Sequence, residues 1–238
     1  MHRLILSGLL SLCLINCAWS NSGHPEKRIT TRDLHQAVQQ VMGEYAPYAD
    51  AELQPYFEQA SIHYPPKKIA LLTFKKEKKV ELWAKDKQHP WSKVITYPLT
   101  ASSGQLGPKL RYHDDQIPEG IYRVVAMNPF SNWHLSMKLN YPNEFDIKHA
   151  RQDGRTNLGG DIFIHGKDLS VGCLAVGDVA IDQLFVLVGR VGTGNTEVII
   201  APNDMRQESA DVDISSQPSW VPELYADISE HLAKFKDA

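Results

Sequence analysis

The order of hydrophobic and polar positions changes twice along this chain. Between about 28 and 60, apolar residues return every three or four positions. Leu34, Val38, Val41, Met42 and Tyr45 share one helical face. Pro47 is expected to close that helix, because proline lacks an N–H and collides with the preceding turn. Asp50, a good N-cap residue, is expected to open a second short helix running to Ala60. Tyr64-Pro65-Pro66 breaks the pattern. From there to about 201, period-two alternation and short apolar runs take over, and strands are predicted at 69–74, 80–83, 92–98, 121–127, 133–139, 161–164 and 197–201. The first two flank Lys75-Lys76-Glu77-Lys78-Lys79, which reads as the solvated turn of a β-hairpin. Segments 104–120 and 141–160 are polar and read as long loops. Segment 180–191 is apolar enough for a helix packed on the sheet. Beyond Pro202 the chain is polar until a last amphipathic helix near Pro222, where proline suits a first turn. Leu224, Ile228, Leu232 and Phe235 line its apolar face.

The first twenty residues stand apart. One positive charge, Arg3, precedes an apolar run from Leu4 to Ile15, which is export-signal anatomy and too short to span a membrane. Small residues at Ala18 and Ser20 place cleavage after Ser20, so an exported, periplasmic protein is expected. Leu14-Ile15-Asn16-Cys17 resembles a lipoprotein box and leaves a lipid anchor at Cys17 as the alternative. The expected organisation is a signal peptide (1–20), an N-terminal linker and helical segment (21–66), a strand-rich catalytic domain (67–202) and an acidic tail with a C-terminal helix (203–238). No other stretch reads as transmembrane.

Charge changes the picture little. Without Arg3 the chain keeps 24 basic and 28 acidic residues, a net charge of −4. That balance gives no support for nucleic-acid binding. The acidity is concentrated after Pro202, where eight acidic residues face three basic ones.

The cysteines carry more. Of Cys13, Cys17 and Cys173, the first two lie in or beside the export segment. A thiol left without an intramolecular partner in an oxidising compartment is a liability unless its chemistry is used. Cys173 ends the run His165-Gly166-Lys167-Asp168-Leu169-Ser170-Val171-Gly172-Cys173. A base and a nucleophile are thus joined by a glycine-bounded loop. His165 would sit at the mouth of a strand. Gly172 allows close backbone approach to a substrate carbonyl, and the N–H groups of Gly172 and Cys173 are candidate oxyanion donors. Ser170 is placed to brace the loop, and Gly166 opens it. One Cys and one His at this spacing do not make a metal-ligand set.

These residues resemble a known family. Ile164-His165-Gly166 followed by Ser170-Val171-Gly172-Cys173-Leu174 is similar to the active-site signature of the L,D-transpeptidase catalytic domain, the YkuD-like family. Gly107-Pro108-Lys109-Leu110-Arg111, the stretch from Asp115 to Tyr122, Tyr141-Pro142-Asn143-Glu144-Phe145-Asp146 and the short His–Cys spacer resemble its YafK-type branch. The histidine-then-cysteine order differs from another class of wall cysteine hydrolases, which places the cysteine first. The resemblance implies a mainly β, sandwich-like catalytic domain with flanking N- and C-terminal helices. It implies acyl transfer on peptidoglycan stem peptides through a Cys173 thioester, with His165 as base and no cofactor. Crosslinking, protein attachment and hydrolytic detachment of a wall-linked lipoprotein are the outcomes it leaves open. An inactive wall-binding module is the reading of another class. Two positions depart from the wider pattern: Ala175 stands where many members have arginine or asparagine, and Val171 where some have a second histidine. Substrate-carboxylate binding is therefore expected to pass to Lys109, Arg111, His149, Arg151 and Arg155 in the two long loops.

Overall fold

The computed structural model describes residues 30–87 and 89–236. The expected signal peptide and the Cys17 anchor lie outside the described residues. The chain opens with α1 (Thr31–Gln59), started by a capping box in which Thr30 and Asp33 satisfy each other's backbone N–H groups. One helix thus replaces the two expected, and both Pro47 and Pro55 lie inside it. Proline does remove a helical hydrogen bond. Here the loss is outweighed because the face carrying Ala49, Leu53 and Phe57 is buried. Asp50 also ties the helix down, accepting from Arg190 Nε at 2.9 Å and from the Tyr64 hydroxyl at 2.5 Å.

The strands follow as β1 (Lys68–Phe74), β2 (Lys79–Lys85), β3 (Ser92–Pro98), β4 (Gly120–Asn128), β5 (Ser136–Leu139), β6 (Phe163–His165), β7 (Leu174–Ala175) and β8 (Thr196–Ala201). They form one mixed sheet in the order β3-β2-β1-β8-β4-β5-β6-β7. β1, β2 and β3 make an antiparallel meander, β8 lies parallel to β1, and β4 returns antiparallel to β8. The expected mainly β domain with flanking helices is present, its sheet curled around a shared core. The predicted strand at 133–139 begins only at Ser136, and the one at 161–164 is shifted to Phe163–His165. The two-residue β7 has no period to betray it.

Segment 141–160 is not wholly a loop. It holds α2 (Glu144–Gln152), started by a second capping box between Asn143 and Asp146. The other helices are α3 (Asp178–Val191) and α4 (Val221–Leu232).

Strand alternation divides the core by face. Ile69, Leu71, Leu82, Val124, Val198 and Ile200 pack with α1 and α3. Ala70, Leu72, Phe74, Trp83 and Ile199 pack with Leu224, Ile228 and Leu232 of α4 and with Phe235 beyond it. The tail stripe read from the sequence is therefore a packing face. Burial of each such aliphatic side chain contributes about 1.5–3 kcal/mol.

The lysine-rich hairpin turn is not uniformly solvated. Lys75 is buried, with Nζ 2.8 Å from Glu119 and donating to the carbonyls of Gly107 and Ile117. Glu119 also accepts from the Gly107 N–H at 2.8 Å and from the Tyr225 hydroxyl of α4 at 2.7 Å. This network fixes the 104–119 loop to both the hairpin and the tail helix.

Candidate active site

β6 and β7 run parallel, with Ile164 opposite Leu174 and His165 opposite Ala175. Ile164 and Leu174 both point into the core. The register brings the end of β6, where His165 stands, alongside the start of β7, which Cys173 immediately precedes. The seven residues from Gly166 to Gly172 are the crossover that makes this possible.

That crossover is held at several points. The Gly166 N–H donates to the Trp133 carbonyl at 3.1 Å. A Cβ on Gly166 would lie 2.5 Å from Asp178 Oδ1, which already accepts from the Lys167 N–H at 2.7 Å. Asp178 begins α3, so the helix start is tied to the loop. Ser170 Oγ donates to the Cys173 carbonyl at 2.7 Å and lies 3.2 Å from Ser103 Oγ. Ser170 thus braces the loop and does not bond the sulfur. The Gly172 N–H donates to Ser103 Oγ at 2.6 Å. Gly172 has φ +98°, and a Cβ there would approach the Gln116 carbonyl oxygen at 3.0 Å. The 104–119 loop therefore forms a wall against Gly172, the residue before the thiol.

His165 is buried, its ring 5.4 Å from that of Trp133. Nδ1 lies 2.6 Å from the Gly166 carbonyl oxygen. A carbonyl can only accept, so the proton is assigned to Nδ1 and the free lone pair to Nε2. Burial pulls the imidazole below its ordinary pKa, partly opposed by the Gly166 carbonyl. Cys173 is half-buried, its Sγ 3.8 Å from the Asp161 carbonyl. Burial pushes the thiol pKa up, Asp161 adds to the rise, and a backbone N–H at Phe163 and the Lys109 charge oppose it. Both shifts favour the uncharged forms, thiol and imidazole.

The other candidates separate. Lys109 is buried in the wall loop, paired with Asp114 and donating to the Arg111 carbonyl at 3.0 Å. It influences the thiol through its charge. Arg111 is exposed on the same loop. His149 and Arg151 lie on α2 and not in a loop. His149 is buried against Trp220, ring centroids 5.0 Å apart, on the tail side of the domain. Arg155 is committed to structure, bonding Asp153 and, through Nη1, the Leu110 carbonyl at 2.8 Å. Sequence reasoning missed Ser103, Gln116, Trp133 and Asp178. Asp178 had a signal, an acidic residue opening an apolar helix. The other three are positioned by long-range contacts that no spacing reveals.

The family model described as the L,D-transpeptidase catalytic domain, YkuD, matches residues 69–200. The chain belongs to this family. It is 30% identical over 147 residues to YafK of Escherichia coli strain K12, which carries a provisional L,D-transpeptidase name; a second YafK, from strain O157:H7, matches equally. The match covers 60% of this chain and 57% of that relative's length. Among solved structures, the helical cell shape determining protein Pgp2 of Campylobacter jejuni is 22% identical with a TM-score of 0.46, over 59% of this chain and 50% of that one. Bd1075 of Bdellovibrio bacteriovorus is also 22% identical, with a TM-score of 0.41 over 59% of this chain and 50% of that one. Family membership points to peptidoglycan chemistry. No helix among the described residues is long and apolar enough to cross a membrane.

Proposed function

We propose that this chain is an exported cysteine acyltransferase acting on peptidoglycan stem peptides. The observation that supports it most is the β6–β7 register, which sets the end of β6, at His165, beside the start of β7, which Cys173 immediately precedes. In this reading Cys173 Sγ attacks the carbonyl carbon of the L,D bond between a diamino acid and terminal D-alanine. Its proton passes to His165 Nε2. The carbon–nitrogen bond breaks, the alanine amine takes that proton and leaves, and a thioester remains. An acceptor then attacks the thioester carbonyl, gives its proton to His165, and the thiol is restored. The N–H groups of Gly172 and Cys173 are the proposed oxyanion donors. For Gly172 this requires its N–H to turn from Ser103 Oγ to the substrate. Arg111 and Arg151 are the exposed cations left to meet substrate carboxylates.

The acceptor defines the outcome. A stem-peptide amine gives a crosslink, a protein lysine gives attachment, and water gives hydrolysis, including release of a wall-linked lipoprotein. Mass spectrometry of wall fragments incubated with the mature protein distinguishes the three. Cys173→Ala is expected to abolish every product while the melting temperature stays unchanged, because one small side chain replaces another. Wall processing by a folded Cys173→Ala protein would sink the mechanism.

A further inference from the structure

Away from the thiol, one end of the sheet carries a groove of about 450 Å³ lined by four cations and one carboxylate. Its floor is the start of β1, the end of β2, the start of β8 and the middle of β4. Lys68 stands directly opposite Lys85 across the β1–β2 ladder, and Arg123 opposite Glu197 across β4–β8. Alternation puts all four on the face that carries Ala70, Trp83, Ile121 and Ile199. That is the face α4 covers, and at this end α4 has stopped. Lys234, just past the helix, and Trp91 close the sides.

Among the described residues, no carboxylate forms an ion pair with Lys68, Lys85, Arg123 or Lys234. Like charges directly opposite on a ladder are destabilising by about 0.2–1 kcal/mol. Glu197 is the one carboxylate lining the groove. The head of Lys85 is also held in place, with Nζ 4.7 Å from the Trp91 ring, which packs at 4.9 Å on Phe235. Asn140, Asn195 and Thr196 add uncharged polar groups around the cations. A single exposed ion pair is worth little, but several cations converging on one multivalent anion add their contributions.

We infer that this groove binds the free carboxylates of a peptidoglycan fragment, so that the wall is held at a second place while Cys173 reacts. The inference rests on the wall-directed reading above. Carboxylate chemistry fits better than a dense polyanion. The whole chain has a net charge of −3, and Glu197 lies within the groove itself.

The test is equilibrium binding of muramidase-solubilised wall fragments to the Cys173→Ala protein, which cannot turn them over. Combining Lys68→Ala, Lys85→Ala and Arg123→Ala should weaken binding by about tenfold or more, in line with 1.4 kcal/mol per decade. Fragments whose carboxylates have been amidated should bind the unsubstituted groove as weakly. An unchanged melting temperature shows that the triple variant is folded; should it not fold, the three single variants, each measured the same way, decide. Equal affinity of amidated and free fragments, or of the folded triple variant and its parent, overturns the groove. Stronger competition by inorganic polyphosphate than by the fragments would also overturn it. Turnover by the protein with its thiol intact is scored separately. Binding without turnover would leave the groove standing and remove the acyltransfer reading, and turnover with groove-independent binding would do the reverse.

Discussion

The two ends of the sheet are built differently. β1, β2 and β8 are six or seven residues long, apolar on both faces, and covered by α1 and α3 on one side and α4 on the other. β5, β6 and β7 have four, three and two residues. The long strands hold themselves by ladder bonds and burial. The short ones are held by side chains and loop contacts: Ser103 and Ser170 on the thiol loop, Asp178 from α3, and the wall loop against Gly172. Short strands end soon, so the residues that follow them, such as the loop from Gly166 to Gly172, depend on these contacts for their position. The candidate site lies at the end with the least regular structure, and its wall loop is tied to β1 and α4 through Glu119.

That tie can be broken. Glu119→Ala removes the partner of buried Lys75 and the acceptors of the Gly107 N–H and the Tyr225 hydroxyl. Leaving one charge of a buried pair alone costs about 3–5 kcal/mol. Denaturant unfolding should show that loss, and residual activity at low temperature should fall further than the folded fraction, because the wall loop loses its anchor. A midpoint equal to wild type would mean the strong end does not depend on this network.

At the weak end the expected effect is on rate. His165→Ala should slow substrate acylation about a hundredfold, as for loss of a general base. The pH dependence sharpens the reading. Burial lowers the imidazole pKa, so His165 stays neutral and able to accept a proton further into acid than a free histidine. Burial raises the thiol pKa, so the thiolate appears only above the ordinary cysteine range. Iodoacetamide labelling of Cys173 should therefore be slow at pH 7 and climb with pH, while acylation by substrate persists to lower pH. Fast labelling that is flat into acid would reveal a preformed thiolate–imidazolium pair instead.

The same division decided what the sequence could reveal. Long strands and α3 announce themselves by period and apolar runs, and α4 by the stripe from Leu224 to Phe235. His165, Cys173 and their glycines stand out as candidates because a motif confined to nine residues leaves a local signature. α1 was misread at Pro47 because a proline is a local signal and the packing of Leu53 and Phe57 is not. α2 was missed although Asn143 and Asp146 spell its capping box, because its mean polarity resembles a loop. Lys75 was read as solvated because its partner, Glu119, is far along the chain. Charge and loop position group His149 with substrate-facing cations, and the fold puts it on α2, buried against Trp220. Ser103 and Gln116 reach the thiol loop only through tertiary folding.

The smallest effect expected is also the most local. Gly172 combines φ +98° with an N–H bonded to Ser103 Oγ and a Gln116 carbonyl 3.0 Å from where a Cβ would stand. Alanine cannot occupy that backbone conformation freely, and the carbonyl beside it belongs to a loop fixed by Glu119. Gly172→Ala should therefore lower stability by about 1–3 kcal/mol, the usual cost of a strained position. If strain were the whole effect, the fraction still folded would work normally. The proposed oxyanion role asks more, since a shift of the Gly172 N–H weakens the transition state and leaves ground-state binding alone. kcat should then fall with little change in KM, measured at a temperature where the variant is fully folded. Ser103→Ala provides the contrast: it frees the same N–H without adding a Cβ, so it should not lower kcat by this route. A folded Gly172→Ala protein with normal kcat would remove Gly172 from the oxyanion site and leave it a packing residue of the short-strand end.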